Sequence, residues 1–474
     1  MSLQKILVLI ASALLIRILF PGKNRQWALL VLSTVAIFWL QPPLSIRNMD
    51  FWFPTAAIGL VFFSWGITSR KEQLRDPANA FAAVLSLGTV CLIGLTRFIS
   101  LKGILTPSRP PQFFLIATAV VIIFLITIFL SRYAKPSPLI IWLSILFLLI
   151  VFNLLKTPYF ANRFSILFRQ LMSQDPSLAR STDLSWLGFS YLAFRLIHTL
   201  IDRLKGRVEG IGLGEYLIFI LFYPAVLAGP IDRLQRFRED LENPKPLSAG
   251  DALQSGKRLA VGLFRKFILA DLLGLISISG SNSHQVQSAG WLWVLLIAYS
   301  FQIYLDFAGY TDIAIGTGLL LGFQLPENFN RPYLKPNLTL FWNNWHMTLT
   351  QWIRTYYFFP VTRKLRRKRK LPPTLIILIT QLSTMLLIGL WHGITLNFLI
   401  WGTWHGIGLF IHNRWSAKIG PKLNAVSSGK PVLAFALKAS SVCLTFLFVS
   451  LGWVWFALPS TGSALSAFRV LFGL

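Results

Sequence analysis

Long apolar runs decide what this chain can fold into. They fall at about 3–20, 27–41, 51–67, 79–97, 112–131 and 138–155, and further ones continue to the C-terminus. A helix crossing the hydrocarbon core of a bilayer needs about 20 such residues. The second and third runs are short, which fits spans that are tilted, re-entrant or packed inside a bundle. Proline and charge punctuate the runs at Pro42-Pro43, Arg70 to Arg75, Pro107 to Pro111 and Lys135-Pro136, as expected where helices stop. A transmembrane barrel would instead show short segments of alternating polarity. With 54% hydrophobic and only 13% charged residues among 474, the chain is far more apolar than a soluble domain. The expectation is an all-α, polytopic transmembrane bundle of about 11–13 spans, plus re-entrant or broken helices, around a central cavity. The run 3–20 passes straight into Pro21-Gly-Lys-Asn-Arg25 without a small-residue cleavage site. It reads as a first span or an interfacial helix rather than a cleaved leader.

The net charge of +28 would suggest nucleic acid in a soluble protein. Here the Lys and Arg lie in short loops between apolar runs, the pattern that marks cytoplasmic loops, and nucleic acid is not implied. The densest cluster, Arg363 to Lys370, has seven basic residues in eight. It suits anchoring against anionic lipid or attraction of a phosphate-bearing or acidic partner. Asp183 ends a polar stretch, 173–183, that reads as an exposed loop, and Asp232 to about Gln254 reads as a basic amphipathic connector. From Leu184 onward, glycine, proline and charge are embedded within the apolar runs. Irregular backbone at membrane depth is tolerated where it is buried in protein or lines a wet cavity. The chain therefore divides into N-terminal spans (1–183), a cavity-forming core (184–412) and a C-terminal loop with a last span (413–474), all within one membrane domain.

Histidines stand out in that core. His346 lies in Phe341-Trp-Asn-Asn-Trp-His346. His392 follows 46 residues later in Leu390-Trp-His392-Gly393, and His405 sits in a second Trp-His-Gly. Read as one helix, the first stretch puts Trp342, Trp345, His346, Leu349 and Ile353 on a single face. An ionisable group kept at membrane depth is a functional candidate, although aromatic anchoring at the headgroups is an alternative for His346. Gly393 permits a bend beside His392, and packing is the plainer role for His405. His198, His284 and His412 stand alone. Asp306 and Asp312 lie six apart in a glycine-rich run and suit ion pairs with a cation such as Arg331 or Arg354, or a polar cavity wall. No compact metal-ligand motif is present, and no Asp or Glu follows Glu327, which argues against both a metal site and a Ser-His-Asp triad.

Taken together, Pro326-Glu-Asn-Phe-Asn-Arg-Pro-Tyr333, Phe341 to His346, Leu390 to Gly393 with Asn397, and the later His405-Gly406 resemble the membrane-bound O-acyltransferase family. Tyr304 to Asp312, Gly229-Pro230-Ile231 and Gly262 to Asp271 agree in order and spacing. The likeness is greatest to the bacterial branch of alginate O-acetylation and teichoic-acid D-alanylation proteins, and it covers roughly residues 185–412. It implies that His392 is the catalytic histidine and His346 a second active-site position. It also implies a thioester co-substrate, acyl-CoA or an acyl carrier protein, and no permanently bound cofactor. Membrane lipids, an acidic carrier protein and envelope acyl-transfer proteins are the implied partners, and the cell membrane the implied location. Asn343-Asn344 stands where this branch usually has Arg-Arg, and Thr355 where an Asp commonly follows the Arg of the next turn. A thioester is already activated, so the chemistry needs a base for the acceptor hydroxyl and donors for the developing oxyanion. His392 suits the base. Asn397, Trp345, Trp391 and His346 are candidate donors, and Arg354, His405, Asp306 and Asp312 are further candidates for substrate contact. A transporter or channel, with buried histidines along its path, is the alternative.

Overall fold

A computed structural model of the chain describes residues 2–69, 71–99, 105–133, 137–208 and 210–474. All regular structure among the described residues is helical. Of the expected breaks, Arg70 and Lys135-Pro136 lie outside the described residues, whereas Pro42-Pro43 separates the helices Arg25–Leu40 and Met49–Thr68. Among the described residues, seven helices are long and apolar enough to cross a membrane: Met49–Thr68, Pro77–Phe98, Phe113–Tyr133, Pro138–Lys156, Ala289–Leu320, Pro373–His392 and Pro431–Ala457. Other apolar runs end early. Leu3–Leu19 has 17 residues and Arg25–Leu40 has 16, so counting runs overstates the number of full-length spans. Phe113–Tyr133 and Pro138–Lys156 leave Phe114, Leu125, Phe129, Trp142 and Phe147 exposed, an outer face suited to hydrocarbon.

The chain folds as two compact units, one of residues 1–259 with 313–326 and one of residues 260–312 with 327–474. In the first, the helix Phe189–Leu204 is buried along most of its length. Its Arg195 guanidinium donates to the carbonyls of Ile220 and Ala225, both at 2.9 Å. Those carbonyls end the helix Leu213–Leu221 and the turn after it, where no helical N–H is left to satisfy them. Gly229 is required there, since a Cβ would lie 2.4 Å from Ala225 Cα. The connector from Asp232 contains the helix Leu234–Glu242, which buries Leu234, Phe237 and Leu241, and Phe237 stacks on Phe323 at 4.6 Å. The stretch 173–183 is not an open loop throughout. Asp183 is buried, accepting from Ser165 at 2.7 Å and paired with Arg169 at 2.9 Å. That pairing ties the end of the stretch to the amphipathic helix Pro158–Leu171.

The second unit carries the histidines. Pro373–His392 and Leu396–Lys418 form a tight helical hairpin joined by residues 393–395. A Cβ on Gly402 would meet the Met385 carbonyl at 2.7 Å, and one on Gly406 would meet Leu382 Cα at 2.9 Å. Glycine at these positions is what lets the backbones touch.

Candidate active site

The single helix expected through Phe341 to Ile353 is two short ones, Leu338–Asn344 and Met347–Ile353, with the break at Trp345–His346. His346 has φ +45° and ψ +55°, a left-handed conformation uncommon outside glycine. Asn328 holds it there. Its carbonyl accepts from Met347 N at 2.9 Å, and its side-chain oxygen accepts from Thr348 Oγ1 at 2.6 Å. Asn330 N donates to the Asn344 carbonyl at 3.1 Å on the other side of the break. The Pro-Glu-Asn-Phe-Asn segment thus acts as a clamp on the histidine's backbone, a role that its sequence does not announce. Trp342, Leu349 and Ile353 remain buried despite the break.

The break also fixes the chemistry of the ring. His346 caps the following helix, its Nδ1 accepting from Leu349 N at 3.4 Å. A ring nitrogen that accepts carries no proton, so the neutral ring bears its proton on Nε2. His346 lies outside the seven candidate spans, and its burial lowers the imidazole to about 3. Removal from water disfavours the charged form, leaving a neutral ring that donates from Nε2.

His392 is the last residue of Pro373–His392, and unlike His346 it is only partly buried. Trp391, Phe398, Trp401 and Phe456 surround its ring, with centroids at 4.5, 5.9, 5.7 and 4.8 Å. Gly393 is extended, and a Cβ there would strike the Phe398 ring at 2.7 Å, so the turn and the stacking on His392 require glycine. Trp391 lies next to both histidines, 4.5 Å from the His392 ring and 6.1 Å from the His346 ring. The two sequence motifs therefore meet through one indole.

The remaining candidates separate by position. Trp345 is buried against Phe329, Phe341 and Trp453 at 5.2, 5.5 and 5.2 Å. Asn397 donates to the Leu458 carbonyl at 2.8 Å and accepts from Thr461 Oγ1 at 2.7 Å, tying down the loop before the last helix. His405 is fully buried between Trp342 and Trp401, at 5.0 and 4.8 Å, and neither ring nitrogen has a hydrogen-bond partner among the described residues. Asp312 pairs with Arg265 at 2.6 Å and Asp306 with Lys266, so the partners found are these rather than the suggested Arg331 and Arg354. Both cations sit in a π-helical turn, Arg265–Ala270, on the segment Gly262 to Asp271 singled out in the sequence. Arg354 instead donates to Asn343 Oδ1 at 3.0 Å. Among the described residues no group of three His, Cys, Asp or Glu side chains could hold a metal ion. His198, His284 and His412 each lie within hydrogen-bond distance of one oxygen, on Phe194, Ser463 and Thr339 respectively.

Beside the break lies a cavity of about 170 Å³, lined by Trp342, Asn343, Ile353, Arg354, Gln381 and Thr384 among others. Its wall is mainly apolar. Trp342 Nε1, Gln381 Oε1 and Thr384 Oγ1 are buried without partners among the described residues, an arrangement that costs free energy unless something polar satisfies it. Sequence reasoning passed over Gln381 and Thr384, which read as ordinary residues of an apolar span.

Known proteins resemble this chain over much of its length. Residues 121–422 match the model of the membrane-bound O-acyltransferase family. A teichoic acid D-alanyltransferase of Streptococcus thermophilus is 32% identical over 257 residues, covering 52% of this chain and 62% of that protein. A probable alginate O-acetylase of Pseudomonas syringae is 31% identical over 271 residues, covering 57% of this chain and 48% of that protein. A peptidoglycan O-acetyltransferase of Helicobacter pylori is 31% identical over 265 residues, covering 55% and 47%. The chain thus spans about half to three-fifths of the length of these relatives. With two histidine motifs meeting at Trp391 and the family model matched from residue 121 to residue 422, the chain belongs to the membrane-bound O-acyltransferase family.

Proposed function

We propose that this chain moves a small acyl group, acetyl or similar, from a cytoplasmic thioester to a hydroxyl of an extracytoplasmic polysaccharide or other envelope polymer. The observation that carries the proposal is the division of labour between the two histidines. His392 is reachable, ends a helix and sits in an aromatic box, which suits a base that meets substrate. His346 is buried with Nδ1 facing the Leu349 N–H, which leaves Nε2 to donate and suits an oxyanion donor. The acceptor oxygen attacks the thioester carbonyl as His392 takes its proton. The C–O bond forms, the oxyanion collapses, and the C–S bond breaks. The proton passes from His392 to the departing thiolate, so no net acid or base is consumed.

The cavity beside Trp342 supports a thioester donor. Coenzyme A esters and acyl carrier proteins share a narrow, amide-bearing arm, and amides would satisfy the unpartnered Trp342 N–H, Gln381 oxygen and Thr384 hydroxyl. The names of the relatives, which refer to alginate, peptidoglycan and teichoic acid, support an envelope polymer as acceptor and envelope acyl-transfer proteins as partners. They also favour the cytoplasmic membrane as the location. The basic stretch 363–370 supports a cytoplasmic position for its loop, within reach of an acidic carrier.

The test is acyl transfer by purified protein. His392→Ala should lower turnover by a factor of about 10² to 10⁴, the range for losing a general base, while gel-filtration profile and melting temperature stay close to wild type. Near-wild-type turnover in that variant would end the base assignment. A wild-type protein that neither hydrolyses nor transfers an acyl thioester, yet moves a solute across vesicles, would replace this proposal with transport.

A further inference from the structure

Two arginines in the first unit converge on one point, with no Asp or Glu side chain ion-paired to either among the described residues. Arg25 opens the helix Arg25–Leu40 and is 2% exposed, and Arg17 lies half-buried in the last turn of Leu3–Leu19. Both approach Gly322, which has φ +80°. A Cβ on that residue would lie 2.6 Å from Arg25 Nη1 and 2.8 Å from Arg17 Nη1. The two nitrogens are therefore no more than about 5.4 Å apart, these two distances laid end to end. Like charges held so close repel, and Arg17 acts unfavourably on the charge of Arg25.

The protein does little to relieve this. Arg25 Nη2 donates to the Asp240 main-chain carbonyl at 3.3 Å, and Arg17 donates to the Lys245 carbonyl. Arg25 Nη1 is buried with no hydrogen-bond partner among the described residues. The Asp240 carboxylate favours the Arg25 charge only at a distance, since it accepts from Gln324 N at 2.8 Å and lies 3.6 Å from Arg236. Asp251 favours the Arg17 charge only at a distance, and no ion pair to Arg17 or Arg25 is found among the described residues. The Phe323 face, 5.2 Å from the Arg25 guanidinium, is a further partial compensation. An uncompensated buried cation is strongly unfavourable, and a single phosphate group bridges guanidiniums at this spacing by accepting from both.

We propose that Arg17 and Arg25 form a phosphate-binding site, and that its occupant is the phosphodiester of an anionic membrane phospholipid. The helix that carries Arg17 argues for lipid over free phosphate. Leu14, Leu15, Ile18, Leu19 and Phe20 around Arg17 are 42–65% exposed, an apolar face along which acyl chains can lie while the phosphate meets the arginines. The chain then turns through the exposed Pro21 to Asn24, as expected at a headgroup boundary. This site is separate from the histidine chemistry.

The experiment uses purified full-length protein in non-ionic detergent, with thermal stabilisation read during titration with three probes. These are short-chain phosphatidylglycerol, a diacylglycerol of the same chain length without phosphate, and inorganic phosphate. Phosphatidylglycerol should stabilise the wild type, the diacylglycerol should not, and Arg17→Gln should raise the midpoint about tenfold or more, as loss of a charge-assisted bond implies. Arg17 is half-buried and at a helix end, so this variant folds. Arg25→Lys, which keeps the charge but loses the fork, should weaken binding as well. Inorganic phosphate matching phosphatidylglycerol in midpoint and in dependence on Arg17 would keep the phosphate site and overturn the lipid assignment. Equal stabilisation of the wild type and Arg17→Gln by every probe, or stabilisation by none, would overturn the site itself.

Discussion

The left-handed backbone at His346 allows its structural and chemical roles to be pulled apart. Three substitutions bear on its cap and its backbone differently. His346→Ala loses the Nδ1 cap. Losing a cap costs about 0.5–2 kcal/mol, and the 3.4 Å length of this bond places it at the low end. His346→Gly also loses the cap, but it is relieved of a left-handed conformation that costs other residues about 1–2 kcal/mol, so it should be more stable than Ala by about 1 kcal/mol. His346→Asn keeps a capping side chain and tolerates the same φ, so it should stay close to wild type. All three lack the Nε2–H. If that hydrogen bond stabilises the oxyanion, all three should lose turnover by a factor of about 10² to 10³, whatever their stability. The assay pairs melting temperature in detergent with the saturated rate of acyl transfer. Activity that follows the stability order, with Asn and Gly active and Ala impaired, would refute the catalytic role and leave His346 as a cap.

Two further outcomes follow from the same architecture. Gly402→Ala drives a Cβ into the Met385 carbonyl at 2.7 Å, and overpacking of this kind costs about 1–3 kcal/mol. Melting temperature should fall, and turnover with it, since the displaced helix ends at His392. An unchanged melting temperature would mean that the hairpin has slack. Neutralising Arg366, Arg367, Lys368 and Arg369 together should slow donor capture, flatten its salt dependence and leave the saturated rate nearly unchanged, because steering by surface charge is screened over about 8 Å at physiological ionic strength. An unchanged salt dependence in a correctly inserted variant would leave the loop as an anchor, and labelling of a cysteine at position 368 from outside intact cells would refute its cytoplasmic placement.

The legible parts of the sequence were those encoded locally. The bend at Gly393 and the two helices flanking it follow from apolar runs and a glycine between them. What stayed hidden depends on residues distant in the chain. Hydrophobic spacing around His346 is helical throughout, and only the clamp from Asn328 and Asn330 breaks the helix there. The suggested partners of Asp306 and Asp312 lie downstream, whereas the cations come from a π-helical turn 40 and 47 residues upstream. Arg195 looked like one more charge in an apolar run. Its task is to satisfy carbonyls at the end of another helix, and no period or motif records that.

The hairpin ending at His392 has a consequence for which acyl groups the protein can handle. Where backbones touch through glycine, no side chain lies between the helices to rotate aside, so the pair resists spreading as a stiff beam does. The aromatic box around His392 stands on that beam, with Trp391 from one arm and Phe398 and Trp401 from the other. Phe456, on the helix Pro431–Ala457, closes the box from outside the hairpin, so the beam fixes three of its walls and leaves the fourth to a separate helix. If the proposed chemistry takes place at His392, discrimination among acyl groups would then rest on the rigid side of the box, and widening it would take a smaller residue at Phe398 or Trp401 rather than a more flexible loop.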